Sequence, residues 1–397
     1  MMGLMDAAKL RAWWWHRQGL DGTLADADPA TVLARTGWAR SVGGANPYLT
    51  LFARTGVSRT AVDAAVADMR IYELPAARGC TYVVPEQDFG LALQVGRGAP
   101  EADLRTLAKL GVDRAEIDRL CVAVTEVLDR ADALDPAQLK DALGGAVRNL
   151  GEAGRKRGQS TTLPAALGLL QAAGEIRRVP PGGRLDQQRY AYARWTPPVT
   201  GLDDAAARAE LAARFFEWTG PASLAHLRWF TGFSAAHAKA ATAGLALVDV
   251  GDGLLAPPAL VREYEEFRPP SRPRYALLAG IDALVLLRRD VPALLDPADA
   301  QRPVPGDPAA RMGVVPDLPD HPVVDRGRVV GLWQYDPGRT EIVAWLFSGR
   351  TPDAALRTVI GRTEAYVRDE LGDARSFSLD SPKARAPRIA ALRAANA

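Results

Sequence analysis

Val62, Ala65, Val66 and Met69 recur three and four positions apart, which puts them on one face of a helix over 59–69 capped by Ser58. Two short apolar runs of strand length follow at 71–74 and 80–84, joined by a turn at 75–79. A helix leading into a strand pair is the closing half of a winged helix. Ahead of it, Asp6 predicts a capped helix to residue 18 stopped by Gly19. A short helix follows over 29–36, then an irregular glycine-bearing stretch over 37–45 and another helix over 47–54. Trp13, Trp14 and Trp15 sit on successive helical positions and cannot share one face, so two are expected to pack inward and one to face a cleft or a neighbouring domain.

The same order returns twice. Asp135 caps a predicted helix over 136–143, a glycine-rich basic loop occupies 144–160, and Thr162 caps a helix that ends at Gly174. Strands at 175–179 and 187–195 flank a wing turn at 180–183. The third pass has a helix over 221–230, a tight turn at Gly232-Phe233, a helix from Ser234 to about residue 243, and a hairpin of 245–250 with 253–256. Beyond Pro269 the spacing changes to strand-length runs at 274–278, 283–287, 321–324, 328–334 and 341–346, with a proline-rich loop at 303–319 and a last helix from Thr351 to about residue 371. The pattern predicts an α+β chain of tandem winged helix-turn-helix units followed by a small β-barrel or sheet domain. Its expected units are 1–130 (a helical region and the first winged helix), 131–200, 201–268 and 269–397.

Composition narrows the class. A chain of 397 residues exceeds one ordinary core, and 48% hydrophobic with 24% charged residues is globular composition. Its Ala, Arg, Gly and Pro content fits a GC-rich bacterial genome. No apolar run reaches the roughly 18 residues of a spanning helix, and no cleavable leader is read at the start, so a cytoplasmic protein without membrane contact is expected. Cys80 and Cys121 cannot build a structural zinc site alone, and His16, His226, His237 and His321 are dispersed, so neither metal nor cofactor is expected.

A net charge of +2 is uninformative, but its distribution is not. Between 155 and 194 stand Arg155, Lys156, Arg157, Arg177, Arg178, Arg184, Arg189 and Arg194 against Glu175 and Asp186 alone, a surplus of six positive charges on one predicted helix-turn-helix and its wing. Such a patch binds phosphates by releasing counterions, and Thr161 and Thr162 at the start of the following helix add hydroxyls and free amides. Lys383, Arg385, Arg388 and Arg393 near the end either touch phosphates or form a solvated tail.

Several motifs, in order, resemble one family. Gly37-Trp38 through Pro47-Tyr48-Leu49-Thr50-Leu51-Phe52-Ala53-Arg54, then Arg78-Gly79-Cys80-Thr81-Tyr82-Val83-Val84-Pro85, then Gly220-Pro221-Ala222-Ser223, and finally Val329-Val330-Gly331-Leu332-Trp333 are similar to segments of the winged-helix DNA glycosylases that excise alkylated and cross-linked bases. The resemblance implies tandem winged helices around a DNA-binding channel, with Trp38, Arg78 and Tyr82 near the cleft. It also exposes a departure. The family carries glutamine, a spacer, then glutamine or aspartate just before the 47–54 helix, and here those positions hold Arg40, Ser41 and Val42. Tyr82 stands where relatives often have histidine.

Removing a base requires a flipped nucleotide and a polar group that positions water and tolerates positive charge on the sugar. Arg40 opposes that charge, and Ser41, Asn46 and Tyr48 are the remaining polar candidates. The expectation is a monomeric DNA-binding protein of this superfamily with an altered excision site. The alternatives are an active glycosylase of base excision repair and a winged-helix regulator that binds protein.

Overall fold

The computed structural model describes residues 6–187, 189–197, 201–377 and 379–396. Helices Ala7–Arg17, Pro29–Thr36, Asn46–Thr55 and Arg59–Ala67 open the chain, the first and last capped by Asp6 and Ser58 as expected. The strands Ile71–Pro75 and Thr81–Pro85 pair antiparallel, and Ala39–Arg40 adds a third strand on the other side of Thr81–Pro85. That third strand lies in the stretch expected to be irregular. Two residues are too short to show a period of two, and the strand exists through its register, Arg40 opposite Tyr82.

Helices Phe89–Gly96, Glu101–Ala108 and Arg114–Leu128 follow, in a stretch where the pattern assigned no elements. The last of these packs its Ile117, Leu120, Val124 and Leu128 with Leu163, Leu167 and Leu170, so the core of the second unit begins at Leu107, ahead of the expected boundary at 131. Helices Pro136–Leu143, Gly151–Arg155 and Leu163–Ala173 precede the hairpin of Ile176–Val179 with Ala191–Arg194. Thr162 does not cap Leu163–Ala173. Its backbone is already helical, and its hydroxyl accepts instead from the Arg148 amide at 3.1 Å.

Helices Asp204–Thr219, Leu224–Thr231 and Ala235–Thr242, with the short hairpin of Val248–Asp249 and Leu255–Ala256, share one large core with the helices Pro29–Thr36, Asn46–Thr55 and Arg59–Ala67 and the N-terminal sheet. The C-terminal part is a four-stranded antiparallel sheet in the order Glu341–Leu346, Arg328–Asp336, His321–Asp325, Tyr275–Leu277. Helices Ala354–Tyr366 and Pro382–Ala395 lean on it. The fold is α+β, and no helix among the described residues is long and apolar enough to cross a membrane.

Some expectations are corrected here. The apolar run at 283–287 is a helical turn, Ala283–Leu286, because Asp282 accepts from the Leu284 amide at 3.0 Å and starts it. Four apolar residues have no period that separates helix from strand. Asp353, not Thr351, caps the helix Ala354–Tyr366. The loop at 303–319 contains a small strand pair, Pro303–Val304 with Asp307–Arg311. All three adjacent tryptophans are buried, Trp13 at 1%, Trp14 at 4% and Trp15 at 1% exposure, so none faces a cleft. Their helix is inserted between the third unit and the C-terminal sheet, so several of its faces are covered. Trp13 donates to the Gly220 carbonyl at 3.1 Å, and the Arg288 guanidinium lies 3.8 Å from the centre of the Trp14 ring.

Candidate functional site

The three-stranded sheet sets out the positions where the resemblance expects chemistry. Along Ala39–Arg40 and the residues after it, side chains alternate between faces. Arg40 donates to the Thr81 carbonyl at 2.7 Å and lies 5.4 Å from the centre of the Tyr82 ring. Ser41 turns to the opposite face, where its hydroxyl hydrogen-bonds the Glu73 carboxylate. Asn46 donates to the Arg40 carbonyl at 2.6 Å and accepts from Thr50 at 3.3 Å, so both ends of its amide are engaged. Tyr48 is fully buried. Its hydroxyl donates to Asp63 at 2.5 Å and accepts from the Leu185 amide at 2.9 Å, and burial raises its pKa, helped by Asp63. Asn46 and Tyr48 therefore tie the strand and the helix Asn46–Thr55 to their neighbours.

The loop between strand and helix is closed from outside by the chain near 375. The Ala45 amide donates to the Arg375 carbonyl at 2.9 Å, and a Cβ on Gly44 would meet that carbonyl and the one at Ser376 at 2.5 Å. Gly44 is thus required by close backbone approach, not by a phosphate.

Glu73 is the residue the sequence reading passed over, because it sits inside a strand-length run. Its carboxylate is 5% exposed and gathers Ser41, the Tyr190 hydroxyl at 3.3 Å and the Arg178 guanidinium at 3.7 Å, while Oε2 lacks any hydrogen-bond partner among the described residues. Burial pulls the Arg178 pKa down, but Glu73 and the phenols of Tyr192 and Tyr190 outweigh it, so the group stays firmly cationic. Arg178, 27% exposed, is therefore a half-buried partner of Glu73 rather than a free surface charge.

Of the residues read as lining the cleft, Trp38 and Tyr82 are interior. Trp38 donates to Asp88 at 2.8 Å, and burial pushes the Tyr82 phenol up to about 12. Arg78 alone is exposed, with its guanidinium 3.6 Å from the centre of the Trp229 ring.

The basic segment is less free than its sequence suggests. Arg177 donates to the Tyr72 hydroxyl at 3.0 Å, Arg184 pairs with Asp186 and donates to the Leu371 carbonyl at 2.8 Å, and Arg194 pairs with Asp129 at 2.8 Å. Lys156 meets Glu152 at 2.8 Å. Thr162 is fully buried and Thr161 half-buried. Arg155, Arg157 and Arg189 stand exposed, with no acid at ion-pair distance among the described residues. Three of the four C-terminal basic residues are also engaged, and Lys383 stands exposed. Arg385 pairs with Asp373 at 2.7 Å, Arg388 with Asp380 at 2.7 Å and Arg393 with Glu341 at 2.6 Å.

No curated protein sequence matches this chain. Among solved structures it is similar to the DNA glycosylase AlkZ of Streptomyces sahachiroi, with a TM-score of 0.70 and 20% identity over 94% of this chain and 98% of that one. That likeness is one of fold. The family model described as DNA glycosylase AlkZ-like matches residues 24–377, nearly the whole chain, and the protein belongs to the AlkZ-like DNA glycosylase family.

Proposed function

We propose that this protein binds duplex DNA through its three helix-and-hairpin units, each acting as a winged helix, and recognises damaged or structured sites without the excision chemistry usual to its family. It would act as a cytoplasmic monomer. The observation that carries this reading is the content of positions 40–42. The family resemblance expects two polar, uncharged or acidic side chains there, and the chain supplies a guanidinium bound to the Thr81 carbonyl, a serine turned to the other face, and a valine. A departing base leaves positive character on the sugar, and a fixed guanidinium raises that barrier unless a backbone phosphate neutralises it. The exposed Arg155, Arg157 and Arg189 support phosphate binding beside the second unit.

One observation favours a second reading, an active glycosylase. Glu73 is a buried carboxylate on the Ser41 hydroxyl, adjacent in the sheet to the family's motif, and a carboxylate is the kind of group that orients water and steadies an oxocarbenium-like sugar. Single-turnover assays on duplex carrying N7-methylguanine separate the two. Binding without base release is expected for the wild type. Base release that disappears in Glu73→Gln, with binding kept, would replace the first reading by the second.

A further inference from the structure

We propose that a groove between the helix Glu101–Ala108 and the turn joining Leu224–Thr231 to Ala235–Thr242 is a binding site for the DNA phosphate backbone; the proposal rests on the DNA-binding reading above. The groove has a volume of about 710 Å³. It is lined by Arg78, Arg97, Arg105 and Arg208 against only two acids, Glu101 and Asp204, a surplus of two positive charges with His237 neutral. One acid is already occupied, since Gln94 donates to Asp204 at 2.7 Å. The side chains of Arg97, Arg105 and Arg208 have no hydrogen-bond or ion-pair partner among the described residues, which sets them apart from those of Arg177, Arg178, Arg184 and Arg194 of the basic segment. Guanidinium groups left unpaired on one concave surface repel one another and are poised to bind phosphate oxygens in forked pairs.

The fourth arginine is held in place at a cost. Arg78 has φ 60°, in the left-handed region that non-glycine residues avoid. Its side chain is fixed by the Trp229 ring and by a hydrogen bond of 3.4 Å to the Trp229 carbonyl. Gly232, at φ 75°, makes room for it, because a Cβ there would lie 2.9 Å from the Arg78 Cγ. Backbone held in a sparsely populated region collects at ligand clamps. Arg78 belongs to the turn that leads into Thr81–Pro85, the strand paired with Arg40, so the groove adjoins the sheet that carries the family's motif positions. Its charges come from residues scattered between 78 and 208; the third unit supplies Asp204 and Arg208 from its first helix and the uncharged turn of Thr231, Gly232 and Phe233.

The test is fluorescence anisotropy with an undamaged duplex across a salt series, using wild type, Arg97→Ala/Arg105→Ala/Arg208→Ala and the charge-keeping Arg97→Lys/Arg105→Lys/Arg208→Lys. Each lost phosphate contact flattens the logarithmic salt slope by about 0.9. The alanine variant is expected to lose up to about 2.7 of that slope and to bind at least about tenfold more weakly, while the lysine variant keeps the slope. A wild-type slope in an alanine variant that folds normally would overturn the proposal. If wild type binds no duplex at all, the DNA-binding reading fails, and binding of inorganic tripolyphosphate then decides the groove. Loss of that binding in the alanine variant keeps a phosphate site of another source, and unchanged or absent binding removes it.

Discussion

Arg54 and Asp282, 228 residues apart in the chain, form a two-pronged ion pair in which neither side chain touches solvent, with Nη1 at 2.8 Å from Oδ2 and Nη2 at 3.0 Å from Oδ1. Arg54 closes the segment whose sequence resembles the glycosylases, and it also donates to Gln18 at 2.8 Å and to the Thr50 carbonyl at 2.9 Å. Asp282 accepts from Thr50 at 3.0 Å besides starting its own helical turn. The motif's arginine thus fastens the helix Asn46–Thr55, and the strand before it, to the C-terminal part of the fold. Removing one partner strands a buried charge, so Arg54→Ala is expected to cost about 3–5 kcal/mol. Denaturant unfolding of Arg54→Ala, Asp282→Ala and the double variant checks this. A double variant as unstable as the sum of the singles would mean the two residues do not act as a pair.

How much of this was legible follows from distance along the chain. The helix Pro29–Thr36 was read to the residue, because proline starts it and Gly37 stops it locally. The C-terminal strands were read within about two residues, since each carries its own alternation. The partnership of Glu73 was not legible. Ser41, Arg178 and Tyr190 reach it from other strands, and nothing inside Ile71–Pro75 marks that carboxylate as shared. The same holds for the arginines of the basic segment. A count along 155–194 gives six surplus charges with Asp186 already subtracted, but Glu73 and Asp129, from outside that stretch, neutralise two of those arginines through contacts that folding makes.

His321 gives a pH prediction. It is 1% exposed, its Nδ1 accepts from the Gly280 amide at 2.9 Å, and its Nε2 donates to the Ala374 carbonyl at 2.8 Å, so the folded state holds the neutral ring. Burial lowers its pKa to about 4, and Arg388 and Arg385 push the same way. The unfolded chain, with a histidine pKa of about 6.5, takes up the proton first, so stability is fully present above that value and is lost as pH falls towards the folded pKa. The loss is on the order of 3 kcal/mol. Thermal unfolding between pH 7 and 4 should show it, and His321→Gln should flatten the acid limb. An equally steep limb in the variant would assign the acid sensitivity to other groups.

The exposed part of the second unit should carry fewer phosphate contacts than its sequence suggests. Lys156 is paired with Glu152, which leaves Arg155 and Arg157 on that loop without an acidic partner among the described residues. Replacing Arg155, Lys156 and Arg157 together by alanine is expected to flatten the logarithmic salt slope of duplex binding by about 1 to 2, rather than by the roughly 2.7 of three full contacts. An unchanged slope would place this loop away from DNA altogether.

The sharpest prediction restores chemistry rather than removing it. If the content of positions 40–42 is what silences excision, then Arg40→Gln with Val42→Gln should rebuild the polar pair of the family at the end of the strand Ala39–Arg40 and just beyond it. The substitution removes a guanidinium that is held by the Thr81 carbonyl and the Tyr82 ring, and a glutamine at position 40 can keep the bond to Thr81 through its amide. Ser41 and its bond to Glu73 stay in place, so the sheet register is preserved. Taking away a fixed positive charge and supplying groups that orient water should lower the barrier by at least about 1.4 kcal/mol, a tenfold gain in single-turnover release of N7-methylguanine. The control is Arg40→Ala, which removes the charge without supplying the pair and should gain less. A double variant that folds and binds duplex like the wild type yet releases no base would show that excision is blocked elsewhere, for instance by the closure of residues 42–45 under the Arg375 carbonyl, whereas a wild type that already releases base at a rate the double variant leaves unchanged would hand the chemistry to Glu73.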